Sequence, residues 1–91
     1  MATHHILFYD YVPDIVERRA PHRDAHLQRI RDAQADGRIT LAGALGDPPH
    51  GAAIVFSDTD PEEIEAWAVA DPYVKAGLVT ARRVEPWKVV S

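Results

Sequence analysis

Residues His4-His5-Ile6-Leu7-Phe8-Tyr9-Asp10-Tyr11 constrain the fold more than any other stretch of the chain. In an extended strand successive side chains alternate between faces, so Ile6 and Phe8 point one way and Leu7, Tyr9 and Tyr11 the other. Both faces are largely apolar, the mark of a strand covered on both sides. A chain of 91 residues has few elements with which to make two covers, and a domain of this size buries only about 60–65% of its unfolded surface. The strand therefore calls for helices against one face and a different partner against the other.

The remaining punctuation supplies the helices. Pro13 ends the strand and can open a helix. Residues 14–36 are helical in character, with a kink or restart expected at Pro21. Leu27, Ile30 and Gln34 form one stripe and His26, Ile30 and Ala33 a neighbouring one, which puts His26 at the edge of the apolar face, turned toward the sheet. Gly37 is a stop signal. From Ile39 to Leu45, Ile39, Leu41, Gly43 and Leu45 alternate with Thr40, Ala42 and Ala44, a second strand in which Gly43 marks a bulge or a close approach to the backbone. The turn Gly46-Asp47-Pro48-Pro49-His50-Gly51 joins it to a third strand, Ala52 to Ser57, as a hairpin. Asp60-Pro61-Glu62-Glu63 starts another helix, with Asp60 as cap and proline at the first position. Its buried stripe is Ile64, Trp67 and Ala68, and it runs to about Ala70. Val79 to Val89 reads as the last strand, placed at a sheet edge because Pro86 has no N–H for a ladder.

The order strand, helix, strand, strand, helix, strand is the βαββαβ pattern of a ferredoxin-like α+β fold. The expectation is one domain over residues 1–91, a four-stranded antiparallel sheet with its helices on one face. No spare element remains for the other face, so a second copy of the chain is the expected cover, a homodimer packed sheet to sheet.

Composition narrows the function. The formal charge is −4 and the basic residues alternate with acids, which argues against a nucleic-acid partner, since phosphate binding needs a clustered basic surface. There is no cysteine, hence no disulfide, thiolate nucleophile or cysteine-held metal, as suits a reducing compartment. No run approaches the ~20 apolar residues of a membrane span and no charged-then-apolar leader opens the chain. The expected location is the cytoplasm, away from membranes.

The candidate chemistry gathers at Ala70-Asp71-Pro72-Tyr73-Val74-Lys75-Ala76-Gly77. Asp71-Pro72 starts a helical turn and Gly77 stops it. Taken alone, Asp71 is a cap, but the small residues and Tyr73 suit the wall of a pocket. A histidine on the long helix, His26, can meet Asp71. Taken alone, it is a core-edge histidine bonded to a backbone carbonyl; paired with a carboxylate, one ring nitrogen has its tautomer fixed and the other is left free for proton transfer. His22 and His26 are four residues apart, the spacing of two metal ligands on a helix, yet two ligands do not make a site; only Asp71 offers a third, and no metal is expected. His50 falls in a surface loop. Ser57 and Ser91 sit at a strand end and the terminus, so no nucleophile stands out, and no glycine-rich phosphate loop announces a cofactor. Proton transfer remains: isomerisation, elimination or general-base hydrolysis. Arg23 can hold a substrate carboxylate; Arg19 reads as a solvated helix charge.

These pieces in order, Arg23-x-x-His26-Leu27, Asp36-Gly37-Arg38, Ala42-Gly43, Ala66-Trp67, Asp71-Pro72-Tyr73-Val74-x-Ala76-Gly77 and Glu85-Pro86-Trp87, resemble the YCII-related (YciI-like) family over nearly the whole chain. The resemblance implies a ferredoxin-like fold, a dimer of the α/β-barrel type, and a pocket with a catalytic His–Asp pair. Carried over by position, that pair is His26 and Asp71. Arg23, Tyr73 and Gly43 are the candidate substrate-binding residues. The leading expectation is a small enzyme acting by proton transfer on a compact anionic metabolite, without a cofactor. The alternative is a non-catalytic dimeric ligand-binding or accessory module.

Overall fold

The computed structural model describes residues 2–91. Strand β1 (His4–Tyr11) is followed by a short helix α1 (Ile15–Arg18), a 3₁₀ turn (Ala20–His22) and helix α2 (Arg23–Ala35). Strands β2 (Ile39–Leu45) and β3 (Gly51–Ser57) form the hairpin, then come helices α3 (Pro61–Val69) and α4 (Pro72–Lys75) and strand β4 (Val79–Pro86). The sheet order is β2-β3-β1-β4, with every pair antiparallel. This is the expected ferredoxin-like sheet. The region of the expected first helix does restart at Pro21: a proline interrupts the helical hydrogen-bond ladder, and a 3₁₀ turn separates α1 from α2.

The core lies between the sheet and the helices. Leu7 and Tyr9 of β1, Ile39 of β2 and Ile54 and Phe56 of β3 pack against Ala33 of α2 and Ile64, Trp67 and Ala68 of α3. Complete burial of a side chain such as Leu7, Ile64 or Phe56 is worth about 1.5–3 kcal/mol each. A second cluster, Ile15, Tyr73 and Leu78, fixes α4 against α1 and the start of β4. The α3 stripe is the one read from the sequence, but its start differs. Asp60 precedes the helix without a side-chain cap bond, whereas Asp71 accepts from the Tyr73 N–H and does cap α4. β4 occupies an edge and ends at Pro86, three residues short of the expected Val89.

The irregularity of β2 lies elsewhere than at Gly43. The register shifts between Ile39 and Leu41, so Ile39 opposes Phe56 on the helix side while Leu41 opposes Val55 on the helix-free side. A bulge adds a residue to one strand and reverses which face the following side chains take. Beyond it Ala42 and Ala44 face the helices, opposite Ile54 and Ala52. A Cβ placed on Gly43 would have open space around it; the close approach is at Gly51, where a Cβ would strike the carbonyl oxygen of Tyr9.

Candidate functional site

Three elements bring one buried cluster together. The Asp71 side chain, with no solvent exposure, sits at the start of α4. Its Oδ1 accepts from the Tyr73 backbone N–H at 3.0 Å. Nδ1 of His26, on α2, lies 2.8 Å from Oδ1 and 3.0 Å from Oδ2. The Tyr9 hydroxyl, reaching from β1, donates to Oδ2 at 2.8 Å. The expected cap and the expected histidine partner are thus the same carboxylate, and one does not exclude the other. The His26 ring stacks on the Tyr73 ring with centroids 3.8 Å apart and planes 9° from parallel. The stack and the bond to Asp71 leave the imidazole little freedom to turn.

The chemistry of this arrangement follows from donor and acceptor counts. A carboxylate accepts only, so Nδ1 of His26 must carry the proton that points at Asp71. The other nitrogen, Nε2, then holds a lone pair and makes no hydrogen bond to any described residue. Burial pushes the Tyr9 hydroxyl well above the usual phenol range, and the charge and hydrogen bond of Asp71 push it the same way. Tyr9 is therefore a neutral donor that satisfies one oxygen of a carboxylate shut away from water, where an unpaired polar group is costly.

His26 opens onto a cavity of about 320 Å³. The helix wall is a single stripe of α2, positions 23, 26, 27, 30, 31 and 34, the spacing of one helical face. The sheet wall is made largely of Ala42, Gly43, Ala44 and Ala52, whose small side chains leave room that larger ones would fill. Tyr11, Tyr73 and Arg19 complete the end near His26. Burial raises the Tyr11 phenol first, with Tyr73 and Asp71 adding to it while Arg19 and Arg23 pull the other way. Tyr73 is likewise raised by burial and opposed by Arg19 and Arg23.

His26, Arg23, Tyr73 and Gly43 all line this cavity, with Asp71 behind the histidine. Gly43 contributes backbone only. The reading of Arg19 as a solvated charge is corrected: the turn at Pro21 folds α1 back so that Arg19 reaches the same cavity as Arg23. His22 is not on the cavity wall; it belongs to the 3₁₀ turn, where four residues do not make one helical face. Among the described residues no three His, Cys, Asp or Glu side chains cluster so as to hold a metal ion. Sequence reasoning missed Tyr9 and Tyr11 as site residues. The available signal was their placement on the face of β1 that carries Leu7, where a hydroxyl pointing into a core needs a partner.

Comparison with known proteins agrees with the fold. Residues 3–88 match the model of the YCII-related domain family. The chain is 30% identical to an uncharacterized protein of Haemophilus influenzae over 96% of its own length and 98% of the relative's. It is 32% identical to protein YciI of Escherichia coli O6:H1 over 94% of its length and 97% of the relative's. Among solved structures, 5-chloro-2-hydroxyhydroquinone dehydrochlorinase (TftG) of Burkholderia phenoliruptrix, in complex with 2,5-dihydroxybenzoquinone, superposes with a TM-score of 0.78 at 24% identity, covering 93% of each chain. A candidate antibiotic biosynthesis monooxygenase of Nitrosomonas europaea superposes with a TM-score of 0.60 at 10% identity, covering 98% of this chain and 90% of that one. At these identities the two structures speak for the fold. From strand order to family model, the chain belongs to the YCII-related domain family.

Proposed function

We propose that this protein is a small enzyme of the lyase or isomerase type, in which His26 moves a proton on a compact anionic metabolite. The observation that carries the reading is the Asp71 carboxylate, held by three donors and turned on Nδ1 of His26, a histidine that lines the cavity and whose Nε2 bonds no described residue. Nε2 takes a proton from a carbon next to a carbonyl, and the Asp71 charge stabilises the positive ring that results. In an isomerisation the proton returns at another carbon. In an elimination a carbon–carbon double bond forms and the leaving group departs with its electron pair. A dehydrochlorinase among the structural neighbours, crystallised with a dihydroxyquinone, favours the elimination branch and anionic, unsaturated substrates. Arg23 and Arg19 supply the positive charge that would hold such an anion.

The non-catalytic alternative draws on one observation, the complete dryness of Asp71. Against it stands the place of that carboxylate, directly behind a histidine that lines the cavity beside Arg19 and Arg23. Incubation with small unsaturated acids, lactones and dihydroxyquinones in deuterium oxide, followed by NMR, distinguishes the two. The expected result is deuterium uptake or turnover by the wild type and none by His26→Ala. Ligands that bind without exchange or turnover would leave the binding-module reading standing.

The functional unit in this proposal is a homodimer. Ile6 and Phe8 lie on the helix-free face of the sheet, beside Leu41, which is 67% exposed. Arg83 lies over the Phe8 ring, 4.2 Å from its centroid, a partial cover that leaves the rest of the face for a second copy. The chain has no helix long and apolar enough to cross a membrane among its described residues.

A further inference from the structure

The two ends of the cavity differ from its middle. At the His26 end stand Arg19 and Arg23. Most arginines of this chain are engaged: Arg18 with Asp14, Arg38 with Asp36, Arg82 with Glu65 and Arg83 with Glu85, while Arg29 donates to the Trp67 carbonyl and lies over its ring. Arg19 and Arg23 make no hydrogen bond or ion pair through their side chains to any described residue, in a chain with 14 acids against 10 bases. Two guanidinium groups left without carboxylates at the same cavity point to an anion supplied by the ligand.

Two helical turns further along α2, Arg31 and Gln34 line the opposite end. Arg31 donates to the amide oxygen of Gln28 at 3.1 Å, a residue off the cavity wall that itself bonds Asp32; it forms no ion pair with a described residue, so turning to a ligand anion exchanges only this neutral contact. Between the ends the wall is Leu27 and Ile30 facing Ala42 and Ala44, which offer no polar side chain. Eight residues separate Arg23 from Arg31, and at 1.5 Å per residue their backbones stand about 12 Å apart along the axis. Both long side chains can lean inward from there, which leaves a gap of a few carbon atoms between the anions they would hold.

We infer that the cavity takes a ligand with two anionic groups joined by a short apolar segment, one held by Arg19 and Arg23 and the other by Arg31 with Gln34. This deepens the proton-transfer reading and rests on it for the choice of end: the reacting carbon belongs beside the first anion, within reach of His26, while the second anion sets which substrates are admitted.

Calorimetric titration at low ionic strength tests this with defined probes: succinate, glutarate and adipate against butanoate, pentanoate and hexanoate. A hydrogen-bonded charge pair at each end should make one dicarboxylate bind about tenfold or more tightly than the monocarboxylate of equal length. Arg31→Ala should abolish that preference and leave monocarboxylate affinity unchanged, while Arg23→Ala weakens both series. Equal affinity of mono- and dicarboxylates, or an Arg31→Ala variant that keeps the preference, overturns the two-anion site. Because these readouts are affinities, they are independent of the proton-transfer reading. A dicarboxylate preference with no deuterium exchange in any ligand would defeat the catalysis and leave the site intact.

Discussion

Replacing Asp71 with asparagine tests the centre of the site, because the structure fixes how the amide must sit. The Tyr73 N–H points at Oδ1 from 3.0 Å, so the amide oxygen takes that place to keep the cap; Asn caps about as well as Asp. The same oxygen still faces Nδ1 of His26, but the NH₂ in the place of Oδ2 also comes about 3.0 Å from it, a donor against a donor, which weakens the hold on the histidine tautomer. The amide NH₂ then occupies the position of Oδ2, opposite the Tyr9 hydroxyl. That hydroxyl can turn to accept, but its own hydrogen is left in the core without a partner. The loss is one hydrogen bond to a charged group, about 1.5–3 kcal/mol, offset in part because a charge is no longer buried. A net destabilisation of about 1–3 kcal/mol is expected, and in a domain of this size each kcal/mol lowers Tm by roughly 4–8 °C. Turnover should fall about 10–100-fold, since the charge that stabilises the protonated ring has gone. Urea denaturation of wild type, Tyr9→Phe, Asp71→Asn and the double variant closes a thermodynamic cycle. Tyr9→Phe should cost about 1.5–3 kcal/mol beside Asp71 and much less beside asparagine. An Asp71→Asn protein as stable and active as wild type would reduce Asp71 to a cap, and equal costs of Tyr9→Phe in both backgrounds would break the claim that Tyr9 serves the carboxylate.

Three further outcomes are expected. His26→Ala should fold but lose turnover or ligand binding; it removes the ring stacked on Tyr73 and one of the donors to Asp71, a cost of about 2–5 kcal/mol, comparable with a core truncation, and circular dichroism shows whether the fold survives. Stability should be flat with respect to Tyr9 and Tyr11 below pH ~10 and fall as pH rises further, because the unfolded chain releases these phenolic protons near pH 10 while the folded state, where burial raises both, holds them. The slope is about −1.4 kcal/mol per pH unit for each such tyrosine, and denaturation between pH 8 and 12 should show a shallower alkaline decline in Tyr9→Phe. Light scattering at micromolar concentration should give the mass of a dimer, and Phe8→Glu on the helix-free face should give a monomer; a wild type that is monomeric removes the sheet-to-sheet proposal.

Much of this protein is written in short-range pattern. The two-period of β1 puts Leu7 and Tyr9 on one face, which the structure turns to the helices, the 3.6-period of α3 picks out Ile64, Trp67 and Ala68, and proline and glycine place the breaks, because strand, helix and turn preferences are decided by neighbours a few residues away. The meeting of His26 with Asp71 was legible only through the order and spacing of family motifs, since nothing local relates residues 45 positions apart. The rest needed the tertiary structure. Tyr9 is 62 positions from Asp71, and only the stacking of α4 over β1 brings its hydroxyl to the carboxylate. The bulge between Ile39 and Leu41 turns Ala42 and Ala44 toward α2, making a cavity where strict alternation still gives no sign of one. Arg19 looks solvated in sequence because nothing before the turn at Pro21 says which way α1 folds back. Periodicity tells which face of an element is apolar, but which elements meet, and at what register, is settled by packing of the whole chain.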